Sequence, residues 1–224
     1  IPGVSGHEGK VADYIQSSLA SNQFESKKDH LGNLVVHLGG SGKRVMLVAH
    51  MDEVGLMVQR ILPDGFLRVV RIGGTSLQAL PGNQLSLWTS TGRLPAVAGV
   101  LPQHLSSGAP LLDFSDIYID IGSHSAEETQ AMGVNIGDVL TWDTSLQYIN
   151  KTRICGKALD DRLGCSVLME LARKIDPGKL NCDLYLAFTV QEESMLIAGL
   201  TAARTISPEV IIGIDGTIPF DTPD

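Results

Sequence analysis

The sequence predicts an α/β domain interrupted by a small all-β, barrel-like insert, and three observations predict it. Continuous apolar runs of strand length, LYLAFTV at 184–190 and VIIGI at 210–214, are of the kind buried on both faces of an α/β sheet. Amphipathic segments with helical spacing accompany them near both ends of the chain. Between about 60 and 148 the pattern changes to short alternating or β-branched segments broken by Gly, Pro, Asn or Asp every 8 to 15 residues.

Taken in order, Ser5 and Glu8 fit a capping box, and Val11, Tyr14, Ile15 and Leu19 then recur at helical spacing, predicting a helix from about 6 to 22. Leu34–Leu38 and Val45–Ala49 follow as strands separated by the turn sequence GGSGK, a hairpin or an adjacent pair, with the wholly apolar second run central. The insert supplies strands at Phe66–Ile72, Leu85–Ser90, Ala96–Leu101, Ile117–Ile121 and Val139–Thr144. After Asn150 come a strand at 153–158 and a helix whose apolar face is Leu163, Val167, Leu168, Leu171 and Ile175, ended by Pro177-Gly178. Residues 195–206 form a connecting helix between the two apolar runs. The domains are therefore expected at 1–60 with 150–224, and at 61–149.

Composition excludes several functions. Across 224 residues, 17 Lys and Arg face 25 Asp and Glu, a net charge of −8, with no basic run. Such a surface is not built to neutralise nucleic-acid phosphates or to sit on anionic lipid. At 43% hydrophobic and 19% charged the chain can bury a sizeable core. No apolar stretch approaches the roughly 18 residues of a membrane helix, and no basic-then-apolar signal opens the chain, so a cytoplasmic protein is expected. Cys155, Cys165 and Cys182 are odd in number and match neither a zinc ribbon nor a disulfide framework; buried, reduced thiols are expected. The chain opens IPGVSGHEGK and closes GIDGTIPFDTPD just past a strand, so further residues are expected on both sides.

Polar residues gather where the apolar strands end, the edge at which open α/β sheets bind ligands. His50 and Asp52 follow VMLV; Asp160 and Asp161 sit at the start of a helix; Glu192 and Glu193 follow LYLAFTV; Asp215 follows VIIGI. Each has a plainer reading alone: a structural histidine, a pair of helix caps, a solvated turn. Adjacent glutamates at a buried strand end repel unless a cation or a proton separates them. Together, one imidazole and several carboxylates offer the nitrogen and oxygen ligation that suits zinc, cobalt or manganese.

The motifs AHMDEVG, GKALDDRLG, VQEE and the Asp of VIIGID, with IPGVSGHE near the start and AGVLPQHL in the insert, resemble the dinuclear metallo-aminopeptidases that assemble into tetrahedral dodecamers. That family includes glutamyl and deblocking aminopeptidases, and some members carry the label endoglucanase. The resemblance runs over the whole chain and implies a zinc-peptidase-like α/β/α catalytic domain whose β insert serves subunit contacts and an internal chamber. By it, His50, Asp160 and Asp215 hold one metal; Asp160 bridges to a second that Glu193 also binds. Glu192 is then general base and acid, and Asp52 orients His50. Two divalent ions would bring the pKa of water from about 15.7 toward about 7, and Glu192 would pass its proton to the leaving amine. The implied function is metal-dependent removal of N-terminal residues from short peptides by a homo-oligomer, with two divalent ions (Zn, Co or Mn) per subunit.

Two departures stand against the family pattern. It supplies one more histidine to the second metal, yet none of His7, His30, His37, His50, His104 and His124 follows Asp215. After the paired glutamates the chain reads SMLIAG at 194–199 where Val-Gly-Leu-Arg-Gly is usual. The alternatives are a non-catalytic or decayed assembly subunit, favoured by the missing histidine, and a two-carboxylate glycoside hydrolase. The latter leaves His50 and Asp215 unexplained.

Overall fold

A computed structural model describes residues 1–22, 24–102 and 113–218. In chain order the elements are α1 (Gly9–Leu19), β1 (Glu25–Lys28), β2 (Leu34–Gly39), β3 (Lys43–His50), β4 (Gly55–Ile61), β5 (Leu67–Ile72), β6 (Gln84–Thr89), β7 (Gly92–Gly99) and β8 (Tyr118–Asp120). They continue with α2 (Ala126–Ala131), β9 (Val139–Trp142), β10 (Gln147–Tyr148), β11 (Ile154–Cys155), α3 (Leu159–Lys174), β12 (Cys182–Thr189), α4 (Glu192–Met195), α5 (Ala198–Ile206) and β13 (Val210–Gly213). Residues 103–105 of the AGVLPQHL motif and 219–224 of the closing segment lie outside the described residues. No helix among the described residues is long and apolar enough to cross a membrane.

The chain forms two compact units, Ile1–Glu53 with Gln147–Asp224, and Val54–Leu146. The first carries a five-stranded sheet ordered β1-β2-β12-β3-β13. β12 and β13 both run parallel to β3, with Thr189 beside His50 and Gly213 beside Val48. That register brings the carboxyl ends of three strands to one edge, where the following turns can share a crevice. Alternation along β12 sends Leu184, Leu186 and Phe188 to one face, where they meet Val11, Ile15 and Leu19 of α1 and Leu168 and Met169 of α3. Ala187 and Met46 meet Ala202 and Ile206 of α5 on the opposite face, completing an α/β/α layering. Burying each such Leu, Ile, Met or Phe is worth about 1.5–3 kcal/mol.

The second unit is a closed barrel in the order β4-β5-β8-β7-β6-β9. Leu56, Leu67, Leu85, Leu87, Ile117, Ile119 and Leu140 are at most 1% exposed and form its interior. Closure leaves no unpaired strand edge to manage.

Several expected elements differ. β2 and β3 are not neighbours, because β12 lies between them and pairs antiparallel with β2; a long-range parallel pairing displaces the local hairpin. β13 is apolar yet exposed at all four positions, having β3 as its one partner among the described residues. The strand expected at 153–158 shrinks to β11, and the connecting helix starts earlier and splits into α4 and α5. On α3 the buried residues are Asp161, Gly164, Cys165, Leu168, Met169 and Ala172, whereas Leu163 and Val167 are about half exposed. Of the cysteines, Cys165 is buried, Cys182 half-buried and Cys155 exposed, each a free thiol. The capping box does not form: neither Ser5 nor Glu8 bonds an amide at the start of α1.

Candidate active site

His50 ends β3 with its side chain 4% exposed. Its Nε2 lies 2.9 Å from Asp160 Oδ1, 3.8 Å from Glu192 Oε2 and 3.9 Å from Asp215 Oδ1. On its other side Nδ1 is buried without a well-aligned hydrogen bond, and Asp52 Oδ1 stands 3.3 Å away. That separation is an ion-pair contact beyond the usual hydrogen-bond length. Burial lowers the affinity of the ring for a proton, but Asp52, Glu192 and Asp160 more than offset it and bring its pKa up to about 9.

The carboxylates repel one another. Burial raises the pKa of Glu193 to about 6, with Asp160, Asp52 and Glu192 adding to the rise and His50 opposing it. Glu192 is raised as well, by burial and by Asp215, Asp52 and Asp160, again against His50. The sequence-predicted residues His50, Asp52, Asp160, Glu192 and Asp215 are thus brought together within ion-pair reach of one imidazole, and Glu193 lies within the field of the same group.

One atom each from His50, Asp160 and Asp215 can lie within 4.8 Å of the others, a spacing that a single cation can bridge. An excess of carboxylates around one imidazole nitrogen, with Nδ1 turned toward a carboxylate behind it, is the donor chemistry of a divalent ion held through nitrogen and oxygen. The residues fit such a group. A cavity beside it, lined by His50, Glu192 and Asp215 with Val48, Leu196 and Ile214, has a volume of about 160 Å³.

The surroundings are built by Asp52, already singled out from the sequence, and by Asp161, Gly164, Glu53 and Lys157, to which no part in the site was assigned from sequence. Asp52, fully buried, accepts the Ser5 hydroxyl at 2.5 Å and the Glu192 and Glu193 N–H groups at 3.0 and 3.1 Å. Asp161, also fully buried, accepts the His50 N–H at 3.1 Å and the Gly164 N–H at 3.0 Å, and burial raises its pKa to about 6. A Cβ at Gly164 would lie 2.5 Å from both Asp161 oxygens, so only glycine leaves room for that carboxylate. Glu53 receives two Lys157 contacts at 2.6 and 2.7 Å and the Gly3 N–H at 3.1 Å, tying the start of the chain, the loop after β3 and the approach to α3. The adjacency of Asp161 to Asp160 and of Glu53 to Asp52 was the one available signal; their partners lie about 50 or 110 residues away.

Fold and site together define an α/β/α protein with an imidazole–carboxylate cluster at its strand ends. Residues 32–224 match the M42 glutamyl aminopeptidase family, and the chain belongs to that family. It is 38% identical over 221 residues to the lysyl aminopeptidase of Pyrococcus furiosus, a match taking in 96% of this chain and 63% of that protein. A solved aminopeptidase from the archaeon Desulfurococcus kamchatkensis matches with a TM-score of 0.94 at 35% identity, covering 100% of this chain and 62% of its own. The Pyrococcus horikoshii TET1 peptidase, described as able to assemble into a tetrahedron or a large octahedral shell, matches with a TM-score of 0.89 at 32% identity, over 100% of this chain and 69% of that one. The chain spans less than two thirds of the length of the curated relatives it matches.

Proposed function

We propose that the protein is a metal-dependent aminopeptidase that releases N-terminal residues from short peptides. The observation that carries this reading is the convergence of Asp160, Glu192 and Asp215 on His50 Nε2, at 2.9, 3.8 and 3.9 Å, in a chain of the M42 family. His50, Asp160 and Asp215 would hold one divalent ion, and Asp160 with Glu193 a second, zinc, cobalt or manganese each suiting the donors. When bound, these ions would supply Lewis acidity to a peptide carbonyl and acidify water.

The remaining work falls to side chains. Glu192, whose raised pKa brings it toward neutrality, takes a proton from water on a carboxylate oxygen and returns it to the departing amine. Asp52 holds the imidazole with Nδ1 toward itself, leaving Nε2 for ligation. Carboxylates around the crevice attract the substrate's ammonium terminus, which favours an exopeptidase over an endopeptidase.

Aminoacyl-nitroanilides with and without a chelator test the activity. Glu192→Gln should lower kcat by about 10²–10⁴-fold while metal content stays near wild type; wild-type turnover in that variant would remove the base assignment. We further propose that the protein is a homo-oligomer and that the barrel Val54–Leu146 serves its assembly, as the shell-forming relative suggests. Sedimentation velocity of the full-length protein tests this, a monomer being the contrary result.

A further inference from the structure

We infer that Glu8 and Asn33 are positioning residues that hold the paired glutamates through the backbone of their turn. Four successive N–H groups at the end of β12 each donate to a buried side chain. Val190 donates to Asn33 Oδ1 at 3.0 Å and Gln191 to Glu8 Oε1 at 2.9 Å, ahead of the two amides on Asp52. The acceptors are 0%, 4% and 0% exposed for Asn33, Glu8 and Asp52, and they come from three separate segments of the chain.

The turn needs such support. Gln191 and Leu196, which bracket the single turn of α4, both have positive φ, at 56° and 55°, a conformation that L-residues with a Cβ disfavour. A four-residue helix cannot satisfy its own first amides. The Glu8 side chain is available for the task because, although Glu8 stands at the N-cap of α1, that side chain bonds no amide of the helix, and the same Oε1 accepts the Gly6 N–H at 2.9 Å. The Asn33 amide is itself fixed, donating to Asp29 Oδ2 at 2.7 Å and to the Ala198 carbonyl at 2.9 Å. Asn33 therefore joins the end of β12 to the first residue of α5, on either side of the glutamate turn.

The catalytic consequence rests on the aminopeptidase reading: a displacement of about 1 Å at Glu192 can cost about 10²-fold in rate. In the full-length protein, Glu8→Ala and Asn33→Ala should each lower kcat by at least tenfold at saturating metal, with KM unchanged. Glu8→Gln, which keeps an oxygen acceptor, should rescue, whereas Glu8→Asp, one methylene short, should not; the latter pair serves if an alanine variant fails to fold. Hydrogen exchange of a peptide spanning 188–196 should accelerate in Glu8→Ala relative to one spanning α1. Unchanged exchange there, or a Glu8→Gln enzyme as impaired as Glu8→Ala, overturns the inference. Exchange requires no turnover, so if Glu192→Gln proves fully active the base assignment falls while the clamp is judged on its own readout.

Discussion

His50 faces carboxylates on both ring nitrogens, and they set the sign of its pH dependence. Its pKa stands at about 9 in the metal-free fold against 6.5 in a model peptide, so the stabilisation it contributes is complete below 6.5 and fades as pH rises through about 9. Glu193 and Asp161, both raised to about 6 by burial, act in the same direction between their ordinary range and that value. Metal binding reverses this trend, because ligands bind deprotonated. Titrating zinc into metal-free protein at pH 7 should release about one proton, from His50, and affinity should climb from pH 6 to pH 9. Calorimetry in buffers of different ionisation heat reads that number, and zero release would contradict the ligand assignment. Asp52 offers a second test. Asp52→Asn turns an acceptor into a donor among a hydroxyl, two amides and an imidazole, and should weaken metal binding by about 10–100-fold. Competition against a chromophoric chelator measures the change.

At the scale of elements, legibility followed the range of the interactions. The apolar runs that became β3 and β12 could be read because strands inside an α/β sheet carry near-continuous apolar residues, although the same composition also marks the exposed β13, and their polar followers marked the site edge without any geometry. What was not legible depended on distant partners. Insertion of β12 between β2 and β3 is a pairing across some 140 residues that no local turn announces. On α3 the buried seam sets the small residues Gly164, Cys165 and Ala172 beside Leu168 and Met169, and the small ones let the helix approach the sheet and α1 closely; a reading weighted by large aliphatics shared Leu168, Leu171 and Ile175 with that seam but missed the small residues and extended to Leu163 and Val167, which are about half exposed. Replacing Leu168, fully buried, with Ala should cost about 2–5 kcal/mol. Val167→Ala, at a position 53% exposed, should stay within about 0.5 kcal/mol. Urea denaturation of the two variants tests where the seam ends, and comparable losses would return Val167 to it.

At the scale of the molecule, two cores have separate memberships. The clusters around Phe188 and around Ala187 draw only on the unit made of Ile1–Glu53 and Gln147–Asp224, and the barrel cluster only on Val54–Leu146. Every candidate ligand belongs to the first. Both tryptophans of the chain, Trp88 and Trp142, belong to the second. The longer helices α1, α3 and α5, of 11, 16 and 9 residues, belong to the first, against six residues in α2. Tryptophan fluorescence therefore follows the barrel, and ellipticity at the helical minimum follows mainly the site-bearing unit. A cation present at a hundred times its Kd adds about 2.7 kcal/mol to whatever it binds, which for a unit the size of Ile1–Glu53 with Gln147–Asp224 raises Tm by roughly 5–20 °C. The ellipticity transition should move upward by that amount on metal loading, while the fluorescence transition stays in place. Equal movement of both would mean that the two units unfold as one cooperative block, and that the barrel draws on the stability a cation gives to the unit holding the candidate ligands.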